Sequence, residues 1–126
     1  MTAFKLKVLV PTERQEHLAF MDWVRRQPKI RDVLVHIPNE GKRSPVAGHI
    51  LRRMGLKSGV SDFLLAMPSS RYHALWIELK RKEGGREMPA QVEWIDKMRS
   101  LGYAAFFCYG CDSAIETVKL YLDNKL

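Results

Sequence analysis

Two short apolar runs separated by a turn-rich segment constrain this chain more than any other feature. The runs cover residues 60–67 and 74–79, and the segment between them is polar and begins with proline. Apolar runs of this length, bounded by turn residues, are typical of β-strands. In an antiparallel hairpin centred on Ser70, Asp62 lies directly opposite Glu78, because each is eight residues from that centre. Directly opposed residues share one face of a sheet, so the pattern predicts two adjacent carboxylates.

Two facing carboxylates indicate a cation site. They repel each other unless a cation or a proton lies between them, and Mg2+ or Mn2+ prefers such oxygen ligands. The carbonyl of Leu79 is a candidate for a further ligand. Strand alternation places Lys80 on the same face as Glu78, where it would orient or deprotonate a water or neutralise a phosphate. Glu-x-Lys alone is also common on solvated or edge strands, so the prediction depends on Asp62.

Length and charge limit the classes of protein to which the chain can belong. Its 126 residues predict one domain, residues 1–126, and the net charge of +7 favours a polyanionic partner, nucleic acid before a membrane surface. The sequence has no apolar stretch long enough for a membrane span or a signal peptide, so a cytoplasmic location is expected. Cys108 and Cys111 are too few for a structural zinc site, and the single helix expected after them argues against a thioredoxin-like redox pair.

The remaining elements are predicted from caps and periodicity. A capping box at Thr12 starts a helix from Glu13 to about Arg26, whose inward stripe is headed by two acids, Glu13 and Glu16. These acids either reach the metal or only favour the helix N-terminus through its dipole. The other predicted elements are a strand over 32–37, helices over 45–54 and 89–101, an apolar and therefore central strand over 103–109, and a last helix capped by Asp112.

Polar residues near the predicted hairpin are candidates for contacts with a polyanion. Gln91 heads the buried stripe of the third helix, where it would position Lys80, a water or a phosphate, or would hydrogen-bond a loop. The basic candidates for phosphate contacts lie in two loops and at the end of the second helix. They are Lys42, Arg43, Arg52, Arg53, Lys57, Arg81 and Lys82. A connector or a solvated helix face would also explain each basic group taken alone.

These motifs resemble those of the PD-(D/E)xK nuclease superfamily, and in particular its VRR-Nuc branch of stand-alone bacterial and phage proteins. Residues 59–62, Gly-Val-Ser-Asp, stand where the family has Gly-Val-Pro-Asp. Residues 77–80, Ile-Glu-Leu-Lys, match its second acidic motif, and Gln91 with Trp94 matches the following helix. Ser61 replaces the proline, which carries no chemistry. The resemblance implies a restriction-endonuclease-like α/β fold, with a central mixed β-sheet flanked by helices.

The resemblance also implies an activity, metal-dependent hydrolysis of DNA phosphodiesters. Asp62 and Glu78 would bind Mg2+ or Mn2+, Lys80 would assist the hydrolytic water and Gln91 would support the site. Glu13 is the first choice for the family's first-helix acid and Glu16 the second. Members of this branch resemble homodimers that cut branched DNA, including four-way junctions. The alternatives are a non-catalytic DNA-binding module and an RNA-directed nuclease with the same fold.

Overall fold

The computed structural model describes residues 9–39 and 43–126, which form four helices and four strands. In chain order the elements are α1 (Glu13–Arg25), β1 (Leu34–His36), α2 (Pro45–Arg53), β2 (Phe63–Leu65), β3 (Leu75–Lys80), α3 (Pro89–Ser100), β4 (Ala104–Tyr109) and α4 (Cys111–Leu122). Every predicted helix and strand is present, and most differ from the prediction by one or two residues at an end. The strand predicted over 60–67 is the exception, because only three of its residues are paired.

The sheet has the order β1-β2-β3-β4 and is mixed. β1 and β2 are antiparallel, as are β2 and β3, whereas β3 and β4 are parallel and are connected by α3. Phe63 pairs with Ile77 and Leu65 with Leu75, which is the register of a hairpin centred on Ser70. The predicted hairpin is therefore confirmed, and Asp62 immediately precedes the first paired residue.

The two faces of β3 are buried by different helices. Ile77 and Leu79 belong to the main core, which also contains Phe20 of α1 and Val118 of α4. Trp76 points to the other face, where it belongs to a smaller core with residues of α3. Because β3 is covered on both faces, Glu78 and Lys80 are buried although they are charged.

Two predictions about the C-terminal part were wrong. Among the strands of residues 9–39 and 43–126, β4 lies at the end of the order rather than in the centre, and its apolar character reflects burial of both faces by α3 and α4. The last helix begins at Cys111, so Asp112 lies within its first turn and is not its cap. Gly110 precedes the helix with a φ of 95°, and a side chain from α1 accepts the hydrogen bond of the first helical N–H.

The helix α2 lies apart from both cores. All nine of its residues are described and none is buried. Ser44 caps its N-terminus by accepting a hydrogen bond from the Ala47 N–H (3.1 Å), and proline occupies the first turn. Val46, Ile50 and Met54, spaced four residues apart, expose an apolar stripe to solvent. An isolated helix this short is marginal in water.

Candidate active site

The carboxylates of Asp62 and Glu78 each accept a backbone hydrogen bond from across the β2–β3 hairpin. The Asp62 N–H donates to Glu78 Oε2 (3.1 Å), and the Leu79 N–H donates to Asp62 Oδ2 (2.8 Å). The two side chains are 6% and 1% exposed, respectively. These two bonds fix both carboxylates at one end of the hairpin.

The backbone of Asp62 is held by the neighbouring strand. Its carbonyl accepts a hydrogen bond from the Ile37 N–H (2.7 Å) and lies 2.9 Å from His36 Nδ1, which must carry the proton to donate to a carbonyl. The ring of His36 in turn contacts that of His17 edge-on, with 4.5 Å between centroids. No local sequence pattern identifies His36, because its role depends on the pairing of β1 with β2.

Glu78 is also contacted by Lys80 and Gln91. Gln91 Nε2 donates to Glu78 Oε1 (2.8 Å), while Gln91 Oε1 accepts from the Met88 N–H (3.0 Å). Lys80 Nζ lies 3.7 Å from the same Glu78 oxygen, and Lys80 is 5% exposed. The structure therefore brings together four of the predicted residues in a single network, in which Asp62, Glu78 and Lys80 are buried and Gln91 is half-buried.

Gly59 connects this network to α3. It has a φ of 85°, and a Cβ atom built there would lie 2.2 Å from the backbone oxygen of Ala90, in the first turn of α3. A glycine is required both by the backbone conformation and by this close approach. The glycine that begins the first motif thus determines how closely Gln91, one residue after Ala90, approaches Glu78.

The donor set fits a hard divalent cation. With Asp62, Glu78 and Lys80 ionised, the trio carries one net negative charge in a buried setting, which a bound cation would compensate. Among the described residues, no three His, Cys, Asp or Glu side chains are grouped so as to hold a metal by themselves. Mg2+ is commonly bound by only one or two carboxylates and keeps several waters, so two carboxylates and the Leu79 carbonyl suit it.

The two acids of the first helix have different surroundings. Glu16 is buried, and its Oε2 accepts a hydrogen bond of 2.5 Å from the Cys111 N–H at the start of α4. Glu13 lines a cavity of about 540 Å³ together with Arg14, His17, Leu18 and His36. Because His36 contacts the Asp62 carbonyl, Glu13 lies on the side of α1 that leads to the carboxylate pair. The role of an additional acid stays a prediction, with Glu13 the first choice and Glu16 the second.

The basic residues that were predicted to contact phosphates lie in several separate parts of the structure. Arg43 and Arg52 line one cavity beside Gly59, whereas Arg53 lies with Ile50 and Met54 around another. The exposed Lys57 is held through its carbonyl, which accepts from Asn39 Nδ2 (2.7 Å). Arg81 Nε is buried without a hydrogen-bond partner in the part of the chain that the structure describes, Lys82 Nζ lies 3.7 Å from Asp112 Oδ2, and Lys42 lies outside the described residues.

The two cysteines lack the features of a redox pair. Burial raises the pKa of the Cys108 thiol, which lies 3.5 Å from the Thr117 hydroxyl. Burial also raises the pKa of the Cys111 thiol, with further contributions from the negative charges of Asp112 and Glu16. Since the thiolate is the reactive form, neither cysteine is activated as a nucleophile.

The sequence did not indicate a role for Tyr109, which lies beside Lys80 in the sheet. Tyr109, which pairs with Lys80 across the parallel strands, donates its hydroxyl hydrogen to Glu87 in the loop before α3. This bond to the carboxylate raises the pKa of Tyr109. The contact connects the loop that contains Glu87 to the end of β4. It depends on the β3–β4 register and is therefore not evident from the local sequence.

Comparison with known proteins gives a consistent result. The family model of the VRR-NUC domain matches residues 9–112. A solved structure described as a VRR_NUC domain protein is 31% identical, with a TM-score of 0.78 over 94% of this chain and 92% of that chain. No curated protein sequence matches. Within residues 9–39 and 43–126, every helix is too short or too polar to cross a lipid bilayer. The four-stranded mixed sheet flanked by helices is a restriction-endonuclease-like fold, and the chain belongs to the VRR-NUC family of nuclease domains.

Proposed function

We propose that the protein is a DNA endonuclease that depends on Mg2+ or Mn2+ and hydrolyses phosphodiester bonds. The observation that supports this most directly is the buried network of Asp62, Glu78 and Lys80, in which two carboxylates meet one ammonium. Burying such a network costs stability unless it is fully compensated, so a purely structural role is a poor explanation for it. A bound divalent cation would polarise the phosphate and supply hydroxide-like water at neutral pH.

The protein side chains divide the remaining tasks among them. Asp62 and Glu78 hold the cation, and the Leu79 N–H and Gln91 Nε2 fix the orientation of their carboxylates. Lys80 places a positive charge beside the same site, where it orients the attacking water or stabilises the charge that develops on the phosphate. Gln91 is a positioning residue, because it acts through Glu78.

The preferred substrate in this proposal is branched DNA, such as a four-way junction, cut by a homodimer. Two observations support it. The net charge of +7 suits contacts with phosphates, which carry shape rather than sequence information. The apolar stripe of α2 offers a surface for a second copy, and a two-fold dimer suits paired incisions on a symmetric junction.

The test is cleavage of matched linear, flap and four-way-junction DNAs with Mg2+, with Mn2+ or with chelator. Asp62→Ala, Glu78→Ala and Lys80→Ala should each lower cleavage at least about a thousandfold, because each removes a cation ligand or the charge beside it. Exposed residues of α3 supply matched controls, Glu93→Ala and Lys97→Ala, which should cleave normally.

Circular dichroism and DNA binding in chelator distinguish loss of chemistry from loss of fold. Full activity in any of the three site variants would refute the site assignment. DNA binding without cutting under every metal would refute the endonuclease and favour a DNA-binding module. Equal cutting of linear DNA and junctions would refute only the preference for branched DNA, and the endonuclease proposal would stand.

A further inference from the structure

A second polar cavity lies beside the active site, between α2 and the segment that leads to Asp62. It has a volume of about 170 Å³, and its lining includes Arg43, Arg52, Ser58 and Gly59. None of the described residues that line it is acidic. Two arginines that line a cavity without a described acidic residue favour an anion, and guanidinium pairs well with phosphate oxygens.

Gly48 explains how Arg52 reaches this cavity. Glycine inside a helix costs about 1 kcal/mol relative to alanine, and α2 has no packing against a core that would explain it. A Cβ atom built on Gly48 would lie 3.3 Å from Arg52 Nη1. Residues four apart are neighbours on a helix surface, so the missing side chain leaves room for the guanidinium beside the helix backbone. Gly48 and Arg52 both line the cavity.

The position of the cavity relates it to the scissile bond. Gly59, which forms part of the cavity wall, precedes Asp62 by three residues, a distance of at most about 11 Å along the chain. Gly59 also touches the first turn of α3, from which Gln91 reaches Glu78. An anion in the cavity and a phosphate at the carboxylates are thus close enough to belong to one short stretch of a DNA strand.

We propose that this cavity binds an internal phosphate of the cleaved strand, near the scissile one, through Arg43 and Arg52. The proposal rests on the DNA-cleaving function proposed above and adds a fixed second contact to it. A phosphate held here sets the position of the strand relative to Asp62 and Glu78. Arg53, which faces the other cavity with Ile50 and Met54, takes no part.

The test is DNA binding in chelator, using oligonucleotides with hydroxyl ends in which one phosphate at a time is replaced by a neutral methylphosphonate. For the wild-type protein, one position near the cut should weaken binding about tenfold. The Arg52→Gln variant should bind unmodified DNA more weakly than the wild-type protein by a similar factor. A methylphosphonate at that position should not weaken the binding of this variant any further. Arg53→Gln, the matched neighbour, should keep the full sensitivity to that methylphosphonate.

Gly48→Ala gives an independent check because it removes no charge. An added Cβ would lie 3.3 Å from Arg52 Nη1, so the guanidinium would have to shift by only a few tenths of an ångström. Gly48→Ala should therefore favour the helix while lowering, without abolishing, the sensitivity to that methylphosphonate. If DNA is bound and cut but no methylphosphonate position couples to Arg52, the phosphate site is refuted and the nuclease proposal stands. If DNA is neither bound nor cut, both proposals fail.

Discussion

At the scale of single residues, Glu13 and Glu16 illustrate how one pattern can serve two purposes. Both acids head the inward stripe of α1 and are equivalent in the sequence. In the structure, the buried carboxylate of Glu16 accepts a hydrogen bond from the Cys111 N–H at the start of α4. The preceding Gly110 has no side chain that could cap this helix. An acid at a helix N-terminus satisfies an otherwise unpaired donor and interacts favourably with the helix dipole. Glu16 thus has a structural role that joins α1 to α4.

We therefore expect Glu16→Ala to lower the free energy of unfolding by about 1–2 kcal/mol, the usual cost of losing a helix cap. Urea denaturation followed by circular dichroism would measure this. Glu116→Ala, at an exposed position of α4, is the matched control and should change stability little. A Glu16→Ala variant with normal stability but no cleavage would contradict the structural role and favour metal binding.

At the scale of elements, the site depends on how α3 docks against the β2–β3 hairpin. Trp76 of β3 packs edge-on against Trp94 of α3, with 5.2 Å between ring centroids. The approach of Gly59 to Ala90 fixes the start of the helix, and Gln91 then reaches Glu78. Gly59, in the segment before β2, therefore influences a contact that a side chain of α3 makes with β3.

This docking predicts that Gly59→Ala is more damaging than another glycine substitution with the same backbone strain. A non-glycine residue at positive φ costs about 1–2 kcal/mol, and at position 59 the clash with Ala90 adds to that cost. Gly84→Ala is the matched control, because Gly84 has a φ of 75° but an added Cβ would meet nothing within 4 Å. Denaturation should show the larger loss for Gly59→Ala, and equal losses would contradict the role of the close approach.

At the scale of the whole molecule, the packing of a single chain does not explain why α2 exposes apolar side chains. Arg52 of α2 lines the proposed phosphate cavity, while Val46, Ile50 and Met54 are 70%, 50% and 78% exposed. An apolar stripe this exposed is characteristic of an interface. The proposed homodimer would bury it against the same stripe of a second copy.

We expect Ile50→Asp to disrupt the proposed dimer and leave a monomer, because it places a charge at the centre of the stripe. Sedimentation velocity at micromolar concentration would measure the change in mass. Leu101→Asp is the matched control, since Leu101 is equally exposed, at 51%, but follows α3. A wild-type protein that sediments as a monomer, or an Ile50→Asp variant that still dimerises, would refute this interface.

Local patterns in the sequence determined the elements and the central pair of acids. Caps and hydrophobic periodicity placed the helices, and the spacing of Asp62 and Glu78 around the turn placed both carboxylates together, because hairpin register is a local property. Local patterns could not determine that β4 lies at the end of the sheet, that His36 holds Asp62, or that Glu16 caps α4. These features depend on which elements pack together, and packing between distant segments is decided only by the burial of their combined surfaces in the tertiary structure.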